Sequence, residues 1–126
     1  MARELSDLSI VTSYFAKASA LEKIGYTVVS IAQRQPDNFN HQEILALAPS
    51  SFCRDLSRQK RHKQSADEYM KLKQTSEMLV KIEEQLLQVG QNLIALCCWE
   101  KDDSICHRAT ARKLLKKKFK INVEEF

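Results

Sequence analysis

Runs of apolar residues divide the chain at intervals and predict buried strands. The run from Tyr26 to Ile31 is β-branched and nearly all apolar, which is typical of a strand covered on both faces. Asn92 to Cys98 has the same character, and Leu8 to Thr12 predicts a shorter strand. Lys120 to Glu124 resembles a final strand. The pattern therefore predicts four strands, spread from one end of the chain to the other.

The segments between these strands have helical spacing. Leu72, Leu79, Ile82, Leu86 and Val89 form one apolar stripe, and Ser65 with Glu68 resembles a capping box. Gly25 and Gly90 fit helix ends, where a left-handed residue is usually needed. Residues 50–64 fit either a helix or a basic loop. The predicted helices are 17–23, 41–47, 66–88 and 104–118.

The alternation of strands and helices predicts the fold class. A strand followed by a helix and another strand is the order of a parallel sheet with helices packed on its faces. We therefore expect a single α/β domain over residues 1–126, with about four mostly parallel strands and helices on both faces.

The composition excludes several classes of protein. The chain of 126 residues has two glycines, so it has neither a dinucleotide-binding fingerprint nor a P-loop. It has no apolar run long enough to span a membrane and no signal-peptide pattern, so we expect a cytoplasmic protein. In that compartment its four cysteines are expected to be thiols.

The charge is unevenly distributed. The net charge is +4, but residues 107–120 carry +7 and residues 50–75 carry +4, so the remainder carries −7. Such a bipolar chain is compatible with a nucleic-acid partner without requiring one.

The segment from Cys98 to Arg108 is the strongest candidate site. It leads from the end of a predicted strand into a helix, which is where open α/β sheets bind ligands. Asp103 or Ser104 can cap that helix, and its free N–H groups favour an anion or a Cys106 thiolate. Arg108 offers a fork for phosphate or carboxylate. Alternatively, Arg108 and Glu100 pair to brace the loop.

Three chemical interpretations of this segment are open. Cys98, Cys106 and His107 could bind zinc, but no second Cys-x-x-Cys is present, and we assign neither a metal nor another cofactor. Cys106 followed six residues later by Arg112 resembles a phosphatase loop, but lacks the glycines. Cys106 could be a nucleophile with His107 as acid or base. The plain alternative is a buried, inert thiol.

Two other strand ends would meet this segment if the strands are parallel. They are the stretches 12–15 and 30–36. Tyr14 and Trp99 would then supply aromatic faces and Arg34 a cation, which suits a base-plus-phosphate ligand. Core packing is the alternative role for Tyr14.

The run from Arg58 to Lys63 also includes Lys60 and Arg61. It predicts either a solvated surface loop or a phosphate-binding one, for nucleic acid or as a lid over an anionic ligand.

Four short motifs together resemble the domain-of-unknown-function 488 family over nearly the whole chain. They are Thr12-Ser13-Tyr14-Phe15, Ser30-Ile31-Ala32 with Pro36, Leu47-Ala48-Pro49-Ser50 with Tyr69, and Cys98-Trp99-Glu100-Lys101 followed by Cys106-His107-Arg108. The last is the most specific. The resemblance implies a small intracellular α/β protein whose biochemical role is largely unassigned. The site residues it implies are Tyr14, Ser30, Cys98, Glu100, Cys106, His107 and Arg108.

These observations lead to one expected function and two alternatives. We expect a protein that binds an anionic, nucleotide-like small molecule near Cys106 and Arg108, with Glu100 orienting Arg108 or accepting a ribose hydroxyl. Catalysis by Cys106, His107 and Glu100 is left open, as is the oligomeric state. The alternatives are a nucleic-acid-associated accessory protein that uses residues 54–63 and 108–120, and a non-catalytic sequestering or inhibitory protein.

Overall fold

The computed structural model describes residues 4–37, 41–101 and 107–126. Within these ranges the regular elements alternate along the chain as the sequence predicts. They are β1 (Ser9–Tyr14), α1 (Ala18–Lys23), β2 (Thr27–Ser30), α2 (Ser51–Arg58), α3 (His62–Lys73), α4 (Ser76–Gln88), β3 (Leu93–Cys98), α5 (His107–Phe119) and β4 (Val123–Glu125).

The four strands form one parallel sheet in the order β2-β3-β1-β4. Side chains alternate between its faces, so Leu96 packs on one side and Ala95 on the other. Leu86 of α4 and Leu114 of α5 pack on the face of Leu96, whereas Leu21 of α1 packs on the face of Ala95. The predicted α/β class, with helices on both faces, is confirmed.

The prediction of a helix over 41–47 is wrong, because only Leu45–Leu47 form a helical turn, of the 3₁₀ type. The reason is a tertiary contact with the end of β2. The Ser30 N–H donates to Gln42 O at 2.9 Å, and the Ile44 N–H donates to Ser30 O at 2.8 Å. This backbone pairing holds residues 42–44 beside the sheet and satisfies groups that a helix would have satisfied internally.

The helix predicted over 66–88 is two helices, which meet at Thr75. The Thr75 backbone is extended, and its side chain accepts a hydrogen bond from Met78 N, so it caps α4. Ser65 is not a cap, because it lies inside α3 and its hydroxyl donates to Cys53 O. Leu72, predicted to be buried, is 44% exposed, whereas Ile82 and Leu86 are fully buried as predicted.

The ambiguous segment 50–64 is mostly helical. Helix α2 ends at Arg58, Lys60 adopts a φ of 61°, and α3 begins at His62. The basic run therefore turns sharply between two helices. Gly25 and Gly90 also have positive φ, at 102° and 77°, which fits their predicted role in ending α1 and α4.

Candidate functional site

All four strands end at the same edge of the sheet because they are parallel. Tyr14, Ser30 and Cys98 are the last residues of three neighbouring strands, and Glu125 ends β4. Loops leaving this edge commonly form the ligand site of an α/β protein. The three strand ends therefore meet at one edge of the sheet, as predicted.

A cleft of about 1220 Å³ opens at this edge. Its walls come from residues 32–37, from α2 and α3, from Trp99 and Glu100, and from the first half of α5. Among the described residues that line it, six are Lys or Arg and three are Asp or Glu, which leaves an excess of three positive charges. The six are Arg34, Arg54, Arg58, Lys63, Arg112 and Lys113.

Three of these cations are exposed and have no counter-ion among the residues that the structure describes. Within the described ranges, the side chains of Arg34, Lys63 and Lys113 form no ion pair. Unpaired cations along a concave wall create a positive potential that attracts anions.

Arg108 is fully buried and does not line the cleft. Its Nε donates to both carboxylate oxygens of Glu125, at 3.1 and 3.0 Å, and Nη2 lies 3.0 Å from Glu125 Oε2. Nη1 donates to Cys98 Sγ and to the Glu100 carbonyl, and Nη2 donates to the Lys101 carbonyl. Each guanidinium nitrogen therefore has a protein acceptor, which is the bracing arrangement.

The partner of Arg108 differs from the predicted one. The Glu100 side chain is exposed and contributes only its backbone carbonyl to Arg108, whereas the carboxylate comes from Glu125. Glu125 also accepts hydrogen bonds from the Thr12 hydroxyl and from Arg112 Nη1. This network joins α5 to β1 and β4.

His107 begins α5 and lines the cleft. Its Nε2 lies 2.6 Å from Ile31 O; because a carbonyl only accepts, Nε2 carries the proton. Burial is the main cause that lowers the pKa of His107 to about 4. The hydrogen bond to Ile31 raises the pKa, and the nearby Arg108 charge lowers it further. The imidazole is therefore neutral at pH 7 and adds no positive charge to the cleft.

The cysteines are in different chemical states. Cys98 is disulfide-bonded, so the expectation of thiols is wrong for that residue, whereas Cys53 and Cys97 are free. Burial raises the pKa of Cys97 to about 12, which makes it an unreactive thiol. Cys106 lies outside the described residues, as do Asp103 and Ser104, so its nucleophilic role stays a prediction.

Trp99 is held rigidly at the rim of the cleft. Its indole N–H donates to Arg34 O at 2.8 Å, and its ring meets Phe15 edge-on at 5.1 Å. The side chain nevertheless remains 51% exposed. The structure thus joins the Trp99 side chain to the backbone of Arg34, and both residues line the cleft.

The other predicted residues are less well placed for contact with a ligand. Tyr14 is half-buried and packs its ring against Arg108 at 5.9 Å, and it does not line the cleft. Ser30 is buried, and its hydroxyl accepts a hydrogen bond from Ala32 N. Cys98 lines the cleft although its side chain is almost fully buried.

The basic run contributes to the same cleft. Arg58 and Lys63 line it, whereas Lys60 and Arg61 are exposed and lie outside it. Arg54 and Lys113 also line the cleft; both lie within the basic segments 54–63 and 108–120 of the nucleic-acid alternative but were not named individually from the sequence. The available signal was the i,i+4 spacing of Arg54 and Arg58, which places both on one face of α2.

Within the described ranges, no three His, Cys, Asp or Glu side chains are grouped closely enough to bind a metal ion. None of the helices there has both the length and the hydropathy needed to cross a bilayer.

Comparison with known proteins adds no relative to this picture. No family model, curated protein or solved structure matches the chain. The resemblance to the domain-of-unknown-function 488 family therefore stays a prediction that rests on the quoted motifs.

Proposed function

We propose that this protein binds an anionic, nucleotide-like small molecule in the cleft at the carboxyl edge of its sheet. The observation that carries the proposal is the group of exposed cations, Arg34, Lys63 and Lys113, which line that cleft and form no ion pair within the described ranges. Phosphate oxygens are the acceptors that such cations bind best, through charge-assisted hydrogen bonds.

The nucleotide character of the ligand is supported by Trp99. An indole that is fixed by a hydrogen bond and an edge contact loses little entropy when a base stacks on it. Stacking on an aromatic face contributes about 1–3 kcal/mol per base. Trp99 therefore selects a ligand with a flat ring, and the cations select its phosphate.

The proposed anion site differs from the one expected at the start of α5. Arg108 already donates from every guanidinium nitrogen, so a phosphate would have to displace the Glu125 carboxylate or a backbone carbonyl. Breaking a buried ion pair is costly. We therefore assign the phosphate to the cleft wall and give Arg108 a bracing role.

A thermal-shift screen against nucleotides and phosphosugars tests this function. A ligand at 100 times its Kd adds about 2.7 kcal/mol to the free energy of unfolding. For a domain of this size that stabilisation corresponds to a rise in Tm of about 10 °C. No shift with any nucleotide or phosphosugar at millimolar concentration would reject the proposal.

A matched pair of variants tests the location. Lys113 lines the cleft, whereas Lys117 is exposed on the same helix and lies outside it. Lys113→Gln should weaken binding of the nucleotide that stabilises the protein in the thermal-shift screen, while Lys117→Gln should leave its binding unchanged. Equal effects of the two variants would show that general charge, rather than the cleft, drives binding.

The alternative function is binding of a nucleic-acid strand. It is favoured by Lys60 and Arg61, which continue the positive surface beyond the cleft. A strand would neutralise several cations at once, so its affinity should fall steeply with salt concentration. Weak or salt-insensitive binding of single-stranded DNA and RNA below about 0.1 M salt would reject this alternative.

A further inference from the structure

A second, smaller pocket of about 430 Å³ adjoins the cleft. We call it the arginine pocket. It is lined by Gln33, Arg34, Ser51, Arg54, Asp55 and Arg58. Three arginines and one aspartate are among the residues that line it, which gives an excess of two positive charges. Four of its residues also line the cleft, which makes the two spaces continuous.

The walls of the arginine pocket are fixed by Gln33. Its Nε2 donates to Ser51 Oγ at 3.3 Å, and its Oε1 accepts a hydrogen bond from Arg54. These two contacts connect the loop after β2 to the first turn of α2. The pocket is therefore built by side-chain contacts between two elements.

The charge within the arginine pocket is only partly compensated. Arg58 pairs with Asp55 at 3.4 Å, but both side chains are more than half exposed, so the pair is weak. Arg34 has no ion pair within the described ranges. Arg54 and Arg58 lie four residues apart on one helix and repel each other. An anion placed among the three would relieve that repulsion.

We propose that the arginine pocket receives a second phosphate group, so that the ligand carries a phosphoanhydride chain rather than a single phosphate. This inference rests on the proposed function above and specifies its ligand class. Trp99 is bonded to the backbone of Arg34, so a base stacked on the indole lies beside the pocket. One phosphate meets Lys63 and Lys113 in the cleft, and the next enters the arginine pocket.

Two pairs of probes test the inference by titration calorimetry without divalent cations. They are AMP with ADP, and orthophosphate with pyrophosphate. One additional set of charge-assisted hydrogen bonds should make the diphosphate of each pair bind about tenfold to hundredfold more tightly. The inorganic pair shows whether the preference depends on the nucleoside.

Arg58→Gln should reduce the ADP-to-AMP affinity ratio by about tenfold, because it removes one phosphate-binding fork. Arg58 is exposed, so the variant should fold normally. Arg61→Gln is the matched control, because it removes the same charge from an exposed residue outside both spaces and should preserve the ratio.

The outcomes separate this inference from the proposed function. If AMP binds but neither diphosphate is preferred, the inference is overturned and the proposed function stands. If neither nucleotide binds but pyrophosphate is preferred in an Arg58-dependent way, the inference stands and the nucleotide function fails. A preference that is equal in wild type and Arg58→Gln overturns the assignment to this pocket.

Discussion

Replacing Arg108 with alanine should destabilise the protein strongly, even when no ligand is present. The substitution removes a guanidinium that is completely buried. It leaves the Glu125 carboxylate with Arg112 as its remaining cation, and it removes the guanidinium that donates to the carbonyls of Glu100 and Lys101. These acceptors are part-buried, so losing their donor leaves part of their desolvation cost uncompensated.

The magnitude follows from the burial of the two partners. Removing one member of a buried ion pair costs about 3–5 kcal/mol. The Glu125 side chain is 28% exposed, so water compensates part of the loss and the lower end applies. We expect a loss of about 3 kcal/mol, from a total stability of about 5–15 kcal/mol for a typical domain.

Urea denaturation followed by circular dichroism measures this loss. With a slope of about 1–3 kcal/mol per M, the midpoint should fall by about 1–3 M urea. Arg58→Ala is the control, because its ion pair is exposed and its midpoint should change little.

A midpoint for Arg108→Ala within about 0.3 M of wild type, much smaller than the fall of about 1–3 M expected from the slope, would refute the bracing role. If that variant were stable but unable to bind the nucleotide found in the thermal-shift screen, Arg108 would instead be part of the ligand-binding site.

Three further predictions concern the fold. Burial lowers the pKa of His107 to about 4, so between pH 6.5 and 4 the unfolded chain binds a proton that the folded chain does not. The stability that comes from this pKa difference is present above pH 6.5 and is lost as the pH falls. Between pH 7.5 and 5, wild type should lose about 2 kcal/mol more of its free energy of unfolding than His107→Gln, as measured by urea titration. Equal losses in the two proteins would contradict this prediction. Thr75→Ala should lower the free energy of unfolding by about 1 kcal/mol, because it removes the cap of α4. Thr75→Ser keeps the hydroxyl and should retain most of that stability, as measured by thermal denaturation. Gly90→Ala should cost about 1 kcal/mol, because φ there is 77°, and a variant as stable as wild type in urea would show that the turn can rearrange.

The sheet could be predicted from the sequence because its signal is local. The run from Tyr26 to Ile31 and the run from Asn92 to Cys98 are apolar on both faces, which only a covered strand requires. The helix boundaries were harder to predict from the sequence. Leu72 and Leu79 fit one helical spacing across Thr75, although Leu72 is exposed in the structure, so spacing alone did not show the break.

The site was only partly predictable, because its key contacts join distant parts of the chain. Tyr14 and Cys98 end strands and Trp99 follows β3 directly, so these residues were found by their positions. Glu125 lies in a short polar segment, and nothing near it in sequence indicates that it pairs with Arg108. A fully buried arginine is also the exception among charged residues, so exposure was the default expectation.

The two proposed functions differ in which basic residues the ligand would contact. A small anion and a nucleic-acid strand would both use Arg58 and Lys63, because these two line the cleft. Only a strand would also reach Lys60 and Arg61, which lie outside it. The salt dependence of binding therefore distinguishes the two. Arg61→Gln should reduce the slope of log K against log salt by about one for a strand and leave it unchanged for a nucleotide held in the cleft.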